Sequence, residues 1–143
     1  MTDSESFDPN DFNRQVIEEF RANEGRVGGP FEGMPLLILH STGATSGKER
    51  LHPLVYQPVG DDFAVFASKA GAPSNPAWYH NIVAHPDVTV EVGTETLSAS
   101  ARVATGDERT QIWETQKANV PQFAAYEESA GDREIPVVLL ERA

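Results

Sequence analysis

A chain of 143 residues with 39% hydrophobic and 23% charged side chains can bury a core as one domain without covalent staples. It has no cysteine, which excludes a disulfide framework, thiolate metal sites and a cysteine nucleophile, and suits a reducing cytoplasm. The formal net charge of −11 argues against a nucleic-acid partner, because phosphate backbones need basic surface.

Residues 1–7 read as a disordered tail, and residues 8–143 as one domain. The acidic N-terminus is unlike a signal peptide, and no apolar run approaches the ~20 residues of a membrane span. Asp8 and Pro9 read as N-cap and first helical residue, with Asp11 in the first turn where the helix dipole favours an acid. Phe12, Val16 and Phe20 recur every four residues with Ile17 beside them, an apolar stripe suited to packing on a sheet. Gly25 stops this helix near residue 24. Residues 34–39 are a short apolar run that reads as a buried strand. A turn over residues 41–47 leads to a strand over 49–59, and Gly60-Asp61-Asp62 turns the chain into a third over 63–67.

Asn75-Pro76 opens a helix that runs to about His85 and is stopped by Pro86. Strands over residues 88–92 and 96–103 flank Gly93-Thr94-Glu95 as a hairpin. Helices follow over 107–119 and from Pro121 through Ser129. Residues 135–140 form the closing strand, with Pro136 near its start where a missing N–H is tolerable. Six short strands joined mainly by tight turns favour an α+β fold built on an antiparallel barrel over a parallel βαβ sheet.

Two segments carry chemical interest. The first is Ser41-Thr42-Gly43-Ala44-Thr45-Ser46-Gly47-Lys48-Glu49-Arg50. It fails as a P-loop: three residues rather than four separate Gly43 from Gly47, Glu49 stands where Ser or Thr would bind Mg²⁺, and a strand follows. It suits an anion cup instead, with backbone N–H groups converging beside hydroxyl donors. Lys48 and Arg50, two apart, leave a strand by the same face. The bland alternative is a solvated polar turn. The second segment runs from Ser68-Lys69-Ala70-Gly71-Ala72-Pro73 into Asn75-Pro76-Ala77-Trp78-Tyr79-His80-Asn81. Lys69 and a helix N-terminus add positive potential. Trp78 and Tyr79 can flank a flat ring, or can pack in the core with Ile82 and Val83 at i,i+4.

Together these blocks, with Pro53-Leu54-Val55-Tyr56 and the closing Asp132-Arg133-Glu134-Ile135-Pro136-Val137, resemble the deazaflavin-dependent nitroreductase and quinone reductase family of actinobacteria. The resemblance spans about residues 12–142. It implies a six-stranded antiparallel split β-barrel, FMN-binding-like, with flanking helices and coenzyme F420 (an 8-hydroxy-5-deazaflavin) as cofactor. By that resemblance Lys48 and Arg50 grip the cofactor phosphate and acidic tail, and Ser46 and Gly47 supply the backbone cup. Pro53, Leu54 and Tyr56 line tail and ring, while Ser68, Lys69, Ala72, Trp78 and Tyr79 hold the ring end. Ala44 and Thr45 stand where family members often carry another basic residue.

The resemblance implies hydride transfer to a small-molecule electron acceptor, a quinone or nitroaromatic, with a tyrosine of the C-terminal helix over the ring. Phe123 and Tyr126 are the candidates, and Tyr126 can hydrogen-bond the acceptor oxygen as charge develops. His40, His52, His80 and His85 form no metal-binding pattern, so no metal is expected; His52 and His80 lie within the motifs and can border the pocket. Neither a Gly-x-Ser-x-Gly elbow nor a Gly-x-Gly-x-x-Gly turn is present. Two alternatives stay open: a non-enzymatic carrier of the deazaflavin or a lipid-like ligand, and an FMN reductase on the same fold.

Overall fold

The computed structural model describes residues 9–28, 34–68 and 75–142. Its elements are α1 (Pro9–Ala22), β1 (Leu36–Thr42), β2 (Glu49–Val59), β3 (Asp62–Phe66), α2 (Ala77–Ala84), β4 (Asp87–Val92), β5 (Glu95–Val103), α3 (Gly106–Asn119), α4 (Gln122–Ala130) and β6 (Val137–Arg142). The strands close into an antiparallel barrel in the order β1-β2-β3-β6-β5-β4. Each expected strand is present. The first runs later than residues 34–39 suggest, because Ser41 and Thr42 still pair with Arg50 and Glu49. The last starts at Val137, after Pro136, whose ring removes a ladder donor. The expected tail of residues 1–7 lies outside the described residues.

Side-chain alternation divides the core into an inside and two outsides. Leu37, Leu39, Phe63, Val65, Val88, Val90, Ala99, Val138 and Leu140 fill the barrel. Their neighbours Leu36 and Ile38 face outward beneath Val16, Ile17 and Phe20 of α1. Ala64, Phe66, Val137 and Leu139 face outward beneath Ile112, Trp113 and Phe123 of α3 and α4. This explains why residues 36–39 and 137–140 read as unbroken apolar runs: both faces of those strands are buried. Gln57 fastens α3 to the wall, its Nε2 donating to the Ile112 carbonyl at 3.0 Å and to Gln116 Oε1 at 3.2 Å. The hairpin of β4 and β5 has a polar outer face instead, with Thr89 opposite Ser98.

One end of the barrel gathers the motif segments. Because neighbouring strands alternate in direction, the β1–β2 turn, the exit of β3, the entry to β4, the exit of β5 and the entry to β6 all lie there. Helix α2 closes this end by inserting Trp78 and Ile82 into the interior cluster. Among the described residues no helix is long and apolar enough to cross a membrane.

Candidate active site

The β1–β2 turn is built by its own backbone. Gly43 N–H donates to the Lys48 carbonyl at 2.7 Å, and Gly47 N–H returns to the Gly43 carbonyl at 3.0 Å. Gly47 sits at φ +71°, a conformation that favours glycine, and a Cβ on Gly43 would lie 2.5 Å from Ser46 Oγ, so a side chain there would have to displace that hydroxyl. The Lys48 amide donates to Ser46 Oγ at 3.2 Å. The Ala44 amide donates to Asn81 Oδ1 at 3.0 Å, and Asn81 Nδ2 donates to Ser41 Oγ at 3.3 Å. Of the two residues expected to supply a backbone cup, these bonds occupy the amide of Gly47 and leave that of Ser46 outside the set. The N–H groups of Gly43, Ala44, Gly47 and Lys48 hold the turn together and do not converge on one point. What the turn offers outward is side chains, all exposed: Thr45, Ser46, Lys48 and Arg50.

Residues of alternating parity on β2 face opposite sides. Leu54 and Tyr56 pack against the interior cluster, whereas Leu51 and Val55 pack beneath α1. Arg50 and His52 share the parity of Leu54 and Tyr56, at the end closed by α2. Pro53, opposite Ile38 in the register, faces the other way. The structure therefore does not bring Pro53 and Leu54 to one surface, since adjacent strand residues point apart. His52 Nδ1 is buried with no hydrogen-bond partner among the described residues, and burial, then the charge of Arg50, pushes its pKa down. Burial raises the Tyr56 phenol, which meets Phe63 edge-on at 5.3 Å.

Electrostatically the notable feature is what Lys48 and Arg50 lack. Neither has a carboxylate within ion-pair distance among the described residues. Glu49, between them in sequence, turns to the outer face and meets His40 Nδ1 at 3.1 Å.

At the ring end, Ser68 is buried, and Arg133 holds its position. The guanidinium donates Nη1 to the Ala67 carbonyl at 3.0 Å and Nη2 to the Ser68 carbonyl at 2.7 Å, and reaches Asn75 Oδ1 at the start of α2. Trp78 is 4% exposed inside the barrel, so its ring fills the core and does not line an open wall; Ile82 beside it at i,i+4 accounts for that. Tyr79 is half-buried and edge-on to His80 at 5.7 Å. It lines a cavity of about 520 Å³ with Asn75, Arg109 and Thr110. Lys69 and Ala72 lie outside the described residues. Phe123 is 7% exposed among Phe66 and Trp113. Tyr126, 5.3 Å from Phe123, keeps an exposed edge on α4, outside β3 and β6. Partial burial raises its pKa, which keeps the phenol protonated at neutral pH. Asn81 and Arg133 are the residues that the motif reading passed over; each stood within a recognised block, but their partners are 37 and 66 residues away.

A closed antiparallel barrel of six strands with its polar motif segments at one end defines an α+β split barrel. A family model described as F420H(2)-dependent quinone reductase matches residues 12–142. An F420H(2)-dependent quinone reductase of Mycobacterium tuberculosis is 37% identical over 127 residues, which cover 86% of this chain and 85% of that one. The solved structure of an F420-H2 dependent reductase, FDR-A, has a TM-score of 0.69 at 38% identity, covering 75% of this chain and 94% of that one. A domain-swapped dimer reaches 0.71 at 34% identity, covering 94% and 100%. The chain belongs to the F420H(2)-dependent quinone reductase family, an oxidoreductase family named for reduced coenzyme F420.

Proposed function

We propose that this protein is a reductase that binds F420 at the α2 end of its barrel and passes hydride to a quinone or nitroaromatic. The observation that carries this reading is the pair of cations, Lys48 and Arg50, with no carboxylate partner among the described residues of a protein of net charge −11. Unpaired cations beside hydroxyl donors fit a phosphate and a carboxylate-bearing tail. Reduced F420, when bound, supplies the hydride. The protein's part is to hold and orient. Lys48 and Arg50 fix the anionic end, Ser46 and Thr45 add hydroxyl donors, and Leu54 and Tyr56 set the apolar floor below them. Arg133 fixes the backbone of Ser68 at the ring end. Tyr126, protonated at neutral pH, donates a hydrogen bond to an acceptor oxygen as negative charge grows there. Trp78 serves through support, by packing the barrel under Tyr79.

Incubating the protein with reduced F420 and menadione and following cofactor oxidation tests the reading. Acceptor-dependent oxidation is expected. Binding without oxidation, across quinones and nitroaromatics, would make the protein a carrier. Tighter binding of FMN than of F420 in parallel titrations would make it a flavin enzyme.

A further inference from the structure

A polar chain crosses the outer face of the barrel beside the turn. Arg21 of α1 holds Glu91 of β4 with two bonds, Nε to Oε1 at 3.0 Å and Nη2 to Oε2 at 2.6 Å. Glu91 Oε2 also meets His40 Nε2 of β1 at 2.6 Å. His40 Nδ1 in turn meets Glu49 Oε2 of β2 at 3.1 Å. Four elements are joined through one imidazole whose two nitrogens each face a carboxylate.

Ionised carboxylates only accept hydrogen bonds, so both contacts are satisfied together only when both ring nitrogens carry hydrogen, the cationic form. Burial favours keeping that arrangement on one side: the side chains of His40 and Glu91 are 16% and 14% exposed, while that of Glu49 is 68% exposed. Arg21 on Glu91 lowers that carboxyl's pKa, which keeps it an anion for His40 to meet. Without the His40 contact, Glu49 keeps only the longer-range attraction of Arg21, and its 68% exposed side chain is free to move at the rim beside Lys48 and Arg50.

We propose that His40 is a positioning residue for the anion site: the pleat of β2 turns Glu49 outward, and His40, held between Glu91 and Glu49, fixes that exposed carboxylate against the outer face so that it does not swing toward Lys48 and Arg50. This inference rests on the reading of those two cations as the anchor for the F420 tail. In Lys48-Glu49-Arg50 the pleat separates the acid from the two cations, and His40 holds its exposed, flexible end away from them.

The test is a titration of F420 into wild type and the variants H40Q, E49Q, H40Q/E49Q and K48A/R50A. One unit charge placed within a Debye length of the anion corresponds to a loss of about 3- to 10-fold in affinity for H40Q. The double variant should return to the E49Q value, because no carboxylate remains to be held. Restoration of binding by E49Q is an outcome that a merely structural role for His40 does not produce. An H40Q affinity within twofold of wild type overturns the proposal, and so does a double variant as weak as H40Q. Should H40Q not fold, E49Q alone decides: binding equal to or tighter than wild type supports the proposal, weaker binding overturns it. Failure of the underlying anchor shows separately, as unchanged affinity in K48A/R50A.

Discussion

Asn81 connects the cap of the barrel to the turn, and its replacement has a calculable effect. In Asn81→Ala two hydrogen bonds disappear, one from the Ala44 amide and one to Ser41 Oγ. Each contributes about 1 kcal/mol net, and a polar group left buried without a partner costs about 1–3 kcal/mol. Ala44 lies on an exposed turn, so water can replace its acceptor. Ser41 is 1% exposed, so water reaches it poorly. The sum is a loss of about 2–3 kcal/mol, or about 6–9 °C in melting temperature for a chain of this size. Asn81→Asp separates shape from charge. One carboxylate oxygen still accepts from Ala44 and the other can accept the Ser41 hydroxyl, but a negative charge now sits behind the turn. Urea unfolding and F420 titration of both variants provide the assay. N81A should be the less stable of the two relative to its binding loss, and N81D should show the larger loss of affinity. A destabilisation under about 0.5 kcal/mol in N81A, or full-strength F420 binding by N81D, would refute the reasoning.

Three further outcomes are expected. Lys48→Ala with Arg50→Ala should weaken F420 binding by about 10- to 30-fold at low salt, with the gap closing as ionic strength rises; the melting temperature should hold within about 1 °C, since no ion pair is lost. Tyr126→Phe should lower kcat/KM for menadione by about 10-fold, leaving F420 affinity unchanged when titrated. Acid unfolding should show a contribution from Glu91, whose carboxyl is lowered first by the hydrogen bond from Arg21 and also by that from His40. A depressed carboxyl contributes stability that is complete above its unfolded pKa and is lost as pH falls through its folded one. Wild type should therefore lose stability over Glu91 Gln more steeply below the ordinary carboxylate range, and Glu91→Gln should flatten that part of the curve.

Much of the barrel was legible because short-range chemistry fixes it. Turn glycines at Gly47, Gly60 and Gly93 separate the strands, and the stripe on residues 16, 17 and 20 marks the face of α1 that covers β1 and β2. Ring order was not legible. Nothing local in residues 137–142 says that this strand enters between β3 and β5, since pairing partners are chosen by the closed geometry. In the site, the cations were visible as a pair and the turn as a turn. Four of the turn's amides, those of Gly43, Ala44, Gly47 and Lys48, are taken up by bonds that depend on the folded turn and on Asn81, and local sequence does not announce them. Glu49 could not be read either. The pleat of β2 gives its face, but the partner that holds its carboxylate there, His40, is nine residues earlier, and the holder of His40, Glu91, lies 51 residues beyond that histidine. Trp78 shows the same limit from the opposite side: an aromatic at the start of a capping helix is drawn inward by the space the barrel leaves.

The sixth strand pairs on both of its edges, Phe63 with Leu140 on one side and Ala99 with Arg142 on the other. Without β6 the other five strands would be an open sheet with β3 and β5 as its two unmatched margins. Closure of the ring therefore waits on contacts far apart in sequence, Phe63 with Leu140 and Ala99 with Arg142, the kind of non-local pairing that slows folding.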